Sequence, residues 1–407
     1  MAALVLFHVE GVNGPWYWRW AWRRLGWETY PILLAASAPF FTGHWLYARG
    51  KISVRWAIAL VMLAALCLQV GAVIPQPLGL GRIPAVVQNS VNTSYYNVAE
   101  VLYEEMNLQG KSLRDWMEIY PQLMSVLMLH ASFKPPGWIL YYLGLMQVFG
   151  GPGAAAAWAG GLLVAVVATT AVPMTYRLAR LFDIDELSAF CAASFFALTP
   201  SLLLFVPQHD QTYPALACLM ILTWCAALRR GPRWTAAAFG GLLALSLFLS
   251  AVFLMLGLFL SVYTLLYVGD RGCRGAFQVL VRGTVTVLAV VGFYLMLYLA
   301  TGFDPVETFF TSARRSQAHI VELQRPWPMH SLLDLADIAL GIGWIAVPLI
   351  AWGAAFVWRT WNWRQPQFRL VFLGLMQVAM AVAVAVFPGE NARLMLPIMP
   401  LLMAPIG

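Results

Sequence analysis

Apolar positions along this chain come in long runs rather than in alternation with polar ones. Runs of about 20 mainly apolar residues recur at 30–48, 55–76, 154–175, 187–206, 212–228, 277–300, 332–357 and 370–387, and a helix needs about 20 to cross a bilayer. The stretch 235–268 is longer, with Arg229, Arg230 and Arg233 at one end and Arg271 and Arg274 at the other. As one helix of about 34 residues it would extend about 51 Å. Basic clusters at both ends predict instead a hairpin of two short helices that return to the same side. A last run opens at Leu394 and reaches only Gly407, short for a crossing, so continuation of the natural protein is expected. The pattern predicts an all-α, polytopic transmembrane bundle of about 10–12 spans.

Between the second and third runs lies the segment 77–153, long for a connection without structure of its own. Within it Tyr95, Val98, Ala99, Leu102 and Met106 recur at helical spacing, while Asn97, Glu100, Glu104 and Asn107 fall on the opposite face. This predicts an amphipathic helix on the membrane surface. Ser112 followed by Asp115 predicts a capping box opening a second helix, with Leu113, Trp116, Met117 and Tyr120 on its apolar side and Pro121 ending it. The segment from His130 through Lys134-Pro-Pro-Gly into Trp-Ile-Leu-Tyr-Tyr is apolar only as far as Gly150. It is short for a crossing, and it is expected to dip into the outer leaflet and return.

Composition narrows the class. Of 407 residues, 61% are apolar and 11% charged, with a mean hydropathy of +0.73, against about 25% charged in soluble proteins. A water-soluble fold is excluded. The net charge of +7 is a statement about topology and implies no nucleic-acid partner. Connections 49–55, 177–186, 229–233, 270–282 and 359–369 hold fourteen Lys or Arg and four acids. The remaining ones, 77–153, 207–211, 301–331 and 388–393, hold eight basic and ten acidic residues. By the positive-inside rule the first set is cytoplasmic and the second extracytoplasmic, in a multi-pass protein expected in a bacterial inner membrane. The N-terminal Trp16, Trp18, Arg19, Trp20, Trp22, Arg23, Arg24 and Trp27 form an interfacial belt ahead of the first span, dividing the chain at 1–54 and 55–407. Its start lacks the features of a signal peptide, so it is expected to be retained. The five cysteines (Cys67, Cys191, Cys218, Cys225, Cys273) have no spacing that suggests a disulfide framework or zinc site.

The candidate chemistry sits in the second set of connections. Asp210 occupies a very short turn between two spans, where an acid is costly unless it is wet, paired or functional; its neighbour His209 is expected to hydrogen-bond locally. Glu100 and Glu104 are a helical turn apart on one polar face. Lys134 and His130 flank the Pro-Pro segment, and Glu390 and Arg393 share the turn before the last run. Arg314, Arg315, His319, Glu322 and Arg325 occupy the last large outer loop. Small-residue stretches such as Gly153-Ala-Ala-Ala-Ala and Gly240-Gly suit close helix packing. There is no nucleotide-binding Gly-rich loop, since Gly79-Leu-Gly81 does not follow a strand. Few charges lie within the spans and no matched pair of broken spans is evident, which disfavours a proton-coupled pump or an inverted-repeat transporter; a lipid flippase or transporter is a third, weaker expectation that requires a continuous water-accessible path between the two sides.

These residues resemble a known superfamily. Lys134, Pro135, Pro136 and Gly137 leading to Tyr141, Tyr142, Phe149 and Gly150 look like the C-type membrane glycosyltransferases, among them protein O-mannosyltransferases and the aminoarabinose transferase of lipid A. Phe196-Ala-Leu-Thr-Pro200 leading to Gln208-His-Asp210-Gln-Thr-Tyr213 is similar to the family's helix ending before a short active-side turn. Gly389-Glu-Asn-Ala-Arg393, with Pro397 and Pro400, looks like its late Arg and proline pattern. The resemblance covers the layout of residues 55–407. It implies transfer of a sugar from a polyprenyl-phosphate donor on the extracytoplasmic side, without metal or other cofactor.

Such a reaction needs a carboxylate as general base and cations on the departing phosphate. In this sequence the candidates for the first role are Asp210, or Glu100 or Glu104. For the second they are Arg393 and Lys134, with His130, Glu390, Tyr95 and Tyr96 about the donor. The family usually keeps an acid shortly before a Tyr in the first large loop. Here that stretch, Asn89 to Tyr96, carries amides and no acid. The departure carries a second expectation, a catalytically inactive scaffold packed with other membrane subunits. Membrane lipids and a lipid-linked sugar are the other expected partners.

Overall fold

A computed structural model describes residues 26–27, 29–89, 94–127, 130–229, 231–322, 329–359, 362–384 and 395–403, with the side chains of 94, 319–322, 329–333 and 384 left out. Most of the N-terminal Trp/Arg segment, Arg325, and the turn carrying Glu390 and Arg393 lie outside the described residues, as do the side chains of His319 and Glu322.

The described residues are helical, with no strand among them. Helices α1 (Thr29–Ala48) and α2 (Val54–Val73) pack together, and α3 (Arg82–Asn89) and α4 (Ser94–Leu108) follow. On α4 the predicted sidedness is present: Tyr95, Tyr96, Ala99 and Leu102 are buried, and Glu104 and Asn107 are exposed. The Ser112 capping box opens α5 (Leu113–Glu118), where Ser112 Oγ accepts from the Asp115 N–H and Asp115 Oδ2 accepts from the Ser112 N–H. Pro121 does not end this helix; α5 stops at Glu118, and Pro121 sits in the first turn of α6 (Tyr120–Leu123), where its missing N–H leaves no bond unmade.

The predicted short segment is α7 (Gly137–Phe149), closed by Gly150 at φ +76. Both its ends stay at one end of the molecule: Lys134, just before it, meets Asp210, and Gly153, just after it, is tied to the Tyr96 hydroxyl. Then come α8 (Ala154–Thr169), α9 (Ala171–Leu181), α10 (Glu186–Ala197), α11 (Pro200–Leu204), α12 (Tyr213–Leu228), α13 (Arg233–Leu249), α14 (Leu256–Thr301), α15 (Pro305–Glu322), α16 (Met329–Ile342), α17 (Ala346–Arg359), α18 (Pro366–Val384) and α19 (Met399–Met403).

Five of these runs are long and apolar enough to cross a membrane, or six if the bent pair α16 and α17 forms one span. That is fewer than the expected 10–12, for identifiable reasons. The run 187–206 is interrupted at Thr199-Pro200, where the proline starts a new short helix, leaving α10 at 12 residues, about 18 Å. The run 332–357 is broken at Gly343 (φ +98), with the two halves bent by 100°. In the opposite sense, α14 is one helix by name only. Gly272, at φ +57 and ψ −144, interrupts it, and beyond it the chain turns back.

Hydrogen bonds establish that reversal. Arg229 Nε donates to Tyr263 Oη, and Tyr267 Oη donates to the Leu228 carbonyl, so the first limb of α14 runs alongside α12. Arg282, Thr286 and Tyr294 donate to the carbonyls of Gly231, Ala236 and Ala244, so the second limb runs parallel to α13. The predicted hairpin within 235–268 is therefore α13 followed by the first limb of α14.

The same bonds gather the basic connections. Arg229 Nη1 donates to the Leu181 carbonyl, Gln367 to the Asp183 carbonyl, Tyr47 to Glu186, and Arg369 pairs with Asp270. All five basic connections thus meet at one end of the bundle. At the opposite end lie the loop helices α4 to α6, the turn before α12, and α15.

Candidate functional site

At that opposite end two short segments from distant parts of the chain converge. The first is Lys134-Pro135-Pro136-Gly137. Lys134 is extended (φ −123, ψ 154), the conformation that a proline at the next position enforces, and Tyr120 Oη donates to its carbonyl at 2.7 Å. Burial pushes the Tyr120 phenol well up, so it remains a donor. The Ser312 hydroxyl on α15 donates to the Phe133 carbonyl. A Cβ on Gly137 would lie 2.5 Å from the Phe248 carbonyl oxygen; only glycine lets this segment lie so close to the backbone of α13.

The second segment is the 3-10 turn His209–Thr212. Gln211 Nε2 donates to the Leu202 carbonyl at 2.5 Å and Thr212 Oγ1 to the His209 carbonyl at 2.7 Å. These bonds fix the turn, and Pro214 stiffens the first turn of α12 directly after it.

Between the segments, Lys134 Nζ stands 3.3 Å from Asp210 Oδ1, with the Lys134 side chain 13% exposed and that of Asp210 fully buried. His209 Nε2 is 3.2 Å from the same carboxylate oxygen and 3.4 Å from the ammonium. The rings of Tyr95, Trp138 and Tyr213 surround the imidazole with centroids 4.8, 4.9 and 5.9 Å away. Lys134 Nζ also lies 5.7 Å over the Tyr213 ring, a cation–π contact. A carboxylate buried to this degree is costly unless a cation faces it, and here the Lys134 ammonium does.

The residue after Lys134, Pro135, lines a cavity of about 550 Å³ together with Phe248, Ala251, Leu254, Tyr294 and Phe309 among others. The cavity runs between α13, the second limb of α14 and α15. Chemically the place offers a carboxylate able to take a proton, an ammonium able to meet an anion, and an apolar trough for a chain attached to that anion.

Of the residues singled out from the sequence, the structure brings Lys134 and Asp210 into contact, with Tyr95 next to them. The Tyr95 hydroxyl donates to the His130 carbonyl at 3.3 Å, which ties His130 to the same cluster through its backbone. Tyr96 instead faces α7: its hydroxyl donates to the Gly153 carbonyl and accepts from the Gly153 N–H, and its ring meets that of Tyr142. Glu100 and Glu104 lie about 140° and 180° around α4 from Tyr95, on the helix's outward side. Burial, and then the charge of Glu104, raise the carboxyl of Glu100 above its ordinary range. Glu390 and Arg393 lie outside the described residues.

Two further acids, Asp334 and Asp337, escape a reading of the sequence because they sit in an apolar run. One turn apart on α16, they are buried at 1% and 0% exposure. The helix carrying them packs on α11 and α18 just before the break at Gly343. Their i, i+3 spacing inside a candidate span is the available signal. Among the described residues no three His, Cys, Asp or Glu side chains gather as a metal site. The chain matches no protein-family model and no curated sequence.

Proposed function

We propose that the chain is a glycosyltransferase-like integral membrane protein of a bacterial cytoplasmic membrane, transferring a sugar from a polyprenyl-phosphate donor at its extracytoplasmic end. The observation that carries the reading is the buried Lys134–Asp210 pair, whose lysine directly precedes Pro135 in the lining of the apolar cavity. A polyprenyl phosphate has the matching form, a long apolar chain ending in an anion. With the chain in the trough beside Pro135 and Leu254, its phosphate comes within reach of Lys134. Lys134 then stabilises the charge that develops on the leaving phosphate. Asp210, released from the ammonium, takes the proton of the acceptor hydroxyl as it attacks the sugar carbon.

The test is binding by the detergent-purified protein. Polyprenyl phosphate is expected to bind at least tenfold more tightly than the corresponding polyprenol. Lys134→Met should remove that difference, and Leu254→Trp, which fills the trough, should weaken both ligands. In membranes containing the chain, release of polyprenyl phosphate from a panel of polyprenyl phosphoryl hexoses should be lost in Asp210→Asn. Equal affinity for phosphate and alcohol, unchanged in Lys134→Met, overturns the proposal.

A further inference from the structure

His209 occupies an unusual place in the Lys134–Asp210 pair. One ring nitrogen, Nε2, lies 3.2 Å from the carboxylate oxygen and 3.4 Å from the ammonium, while those two are 3.3 Å from each other. A single nitrogen cannot serve both partners in one protonation state. Bare, it accepts a hydrogen bond from the Lys134 ammonium; as N–H, in the neutral Nε2–H tautomer or in the imidazolium, it donates to Asp210, and only the imidazolium adds a charge.

We infer that His209 is a positioning residue whose protonation transfers Lys134 from Asp210 to the donor phosphate, so that the anionic ligand binds together with one proton. The inference rests on the proposed polyprenyl-phosphate donor. With the imidazole neutral, the three groups sum to zero charge and Lys134 is held by the carboxylate. An anion entering this nearly closed place meets no net positive charge, and burying it is costly.

With the imidazole protonated the three groups carry +1. The imidazolium N–H takes over the bond to Asp210, and two cations 3.4 Å apart repel. Lys134, on a flexible four-carbon stem and 13% exposed, is the one able to move, toward the cavity that Pro135 lines. The titratable and charged groups facing His209, among the described residues, are Tyr95 from α4, Lys134 from the Pro-Pro segment, Asp210 from its own turn and Tyr213 from α12. Helix α8, which packs on the same turn, carries no titratable residue. Of these groups the imidazole alone has an ordinary titration range between about pH 5.5 and 8.5.

The test uses the full chain in detergent and a polyprenyl phosphoryl hexose, a phosphodiester whose single charge does not itself titrate in that range. Affinity should rise as pH falls, by up to about tenfold per pH unit above the imidazole's titration. Calorimetry in two buffers of different ionisation enthalpy should show uptake approaching one proton per ligand in the unsubstituted protein, a readout that needs no variant. His209→Gln, which can still accept from Lys134 or donate to Asp210 but cannot titrate, should bind with a pH-independent affinity and no proton uptake. Binding with the same affinity throughout and no buffer dependence overturns the inference while leaving the donor reading intact. Proton uptake that persists in His209→Gln overturns it as well, by placing the proton elsewhere. Binding no tighter than that of the polyprenol at every pH overturns the donor reading and this inference with it.

Discussion

Lys134 and Asp210 are joined across 76 positions of sequence, and their pairing sets what each substitution costs. Breaking a buried ion pair leaves one charge uncompensated, at about 3–5 kcal/mol, whereas replacing both members by apolar groups is often close to neutral. Lys134→Met and Asp210→Leu should each lower the unfolding free energy in detergent by about that amount. The double variant should lose much less than the sum. Additive losses in a chemical unfolding series would mean that the two charges are satisfied separately. At this scale the sequence is informative about identity and silent about company. Asp210 is conspicuous as an acid in a short turn between apolar runs, and Lys134 as a cation before a double proline. Nothing local reveals that they meet, or that Tyr95 and Trp138 close around His209. Glu100 and Glu104 look equivalent to Asp210 as carboxylates, yet helix geometry turns them away from Tyr95, the residue of α4 that reaches the cluster.

Helices here are legible in outline and obscure at their breaks, because hydropathy registers apolar length but not the single residue at which a run bends. Gly272 and Gly343 both adopt positive φ and both redirect the chain, yet each sits in a stretch whose average composition continues unchanged. Charge supplies what hydropathy lacks at 235–268, since arginines at both ends already demand a return. No such marker flanks Gly343. Glycines also separate into those that matter for packing and those that do not. On α13 a Cβ at Gly240 would lie 2.6 Å from the Thr286 carbonyl oxygen and 2.7 Å from the Ala289 Cβ, while one at Gly241 meets nothing within 4 Å. Small residues that bring helix backbones together in this way are a main device of membrane packing. Gly240→Ala should therefore destabilise the α13–α14 contact by about 1–3 kcal/mol. Gly241→Ala, on the same helix, should stay within about 0.5 kcal/mol of the unsubstituted protein. A thermal melt of both variants side by side checks the pair; equal effects would place the close approach elsewhere.

For the molecule as a whole, the sequence's charge asymmetry and the structure's contacts meet in one geometric fact. Connections grouped only by their arginines prove to be bonded to one another, through Tyr47 and Glu186, Leu181 and Arg229, Asp183 and Gln367, and Asp270 and Arg369. The lysine–aspartate pair and its cavity lie at the far end. If the basic end faces the cytoplasm, as the positive-inside rule requires, the candidate site faces out, where a lipid-linked sugar would be used and a cytosolic nucleotide sugar would be absent. That orientation can be read from one side chain. Cys273 comes just after the reversal at Gly272 at the basic end and is exposed, whereas the other four cysteines are buried or partly so. A membrane-impermeant maleimide should label Cys273 in inside-out vesicles and leave it unlabelled in intact spheroplasts. A cysteine introduced at Gln109, exposed at the end of α4, should show the reverse. Labelling of Cys273 from outside would turn the molecule over, put the Lys134–Asp210 pair in the cytoplasm, and remove the extracytoplasmic donor from the proposal whatever the pair itself binds.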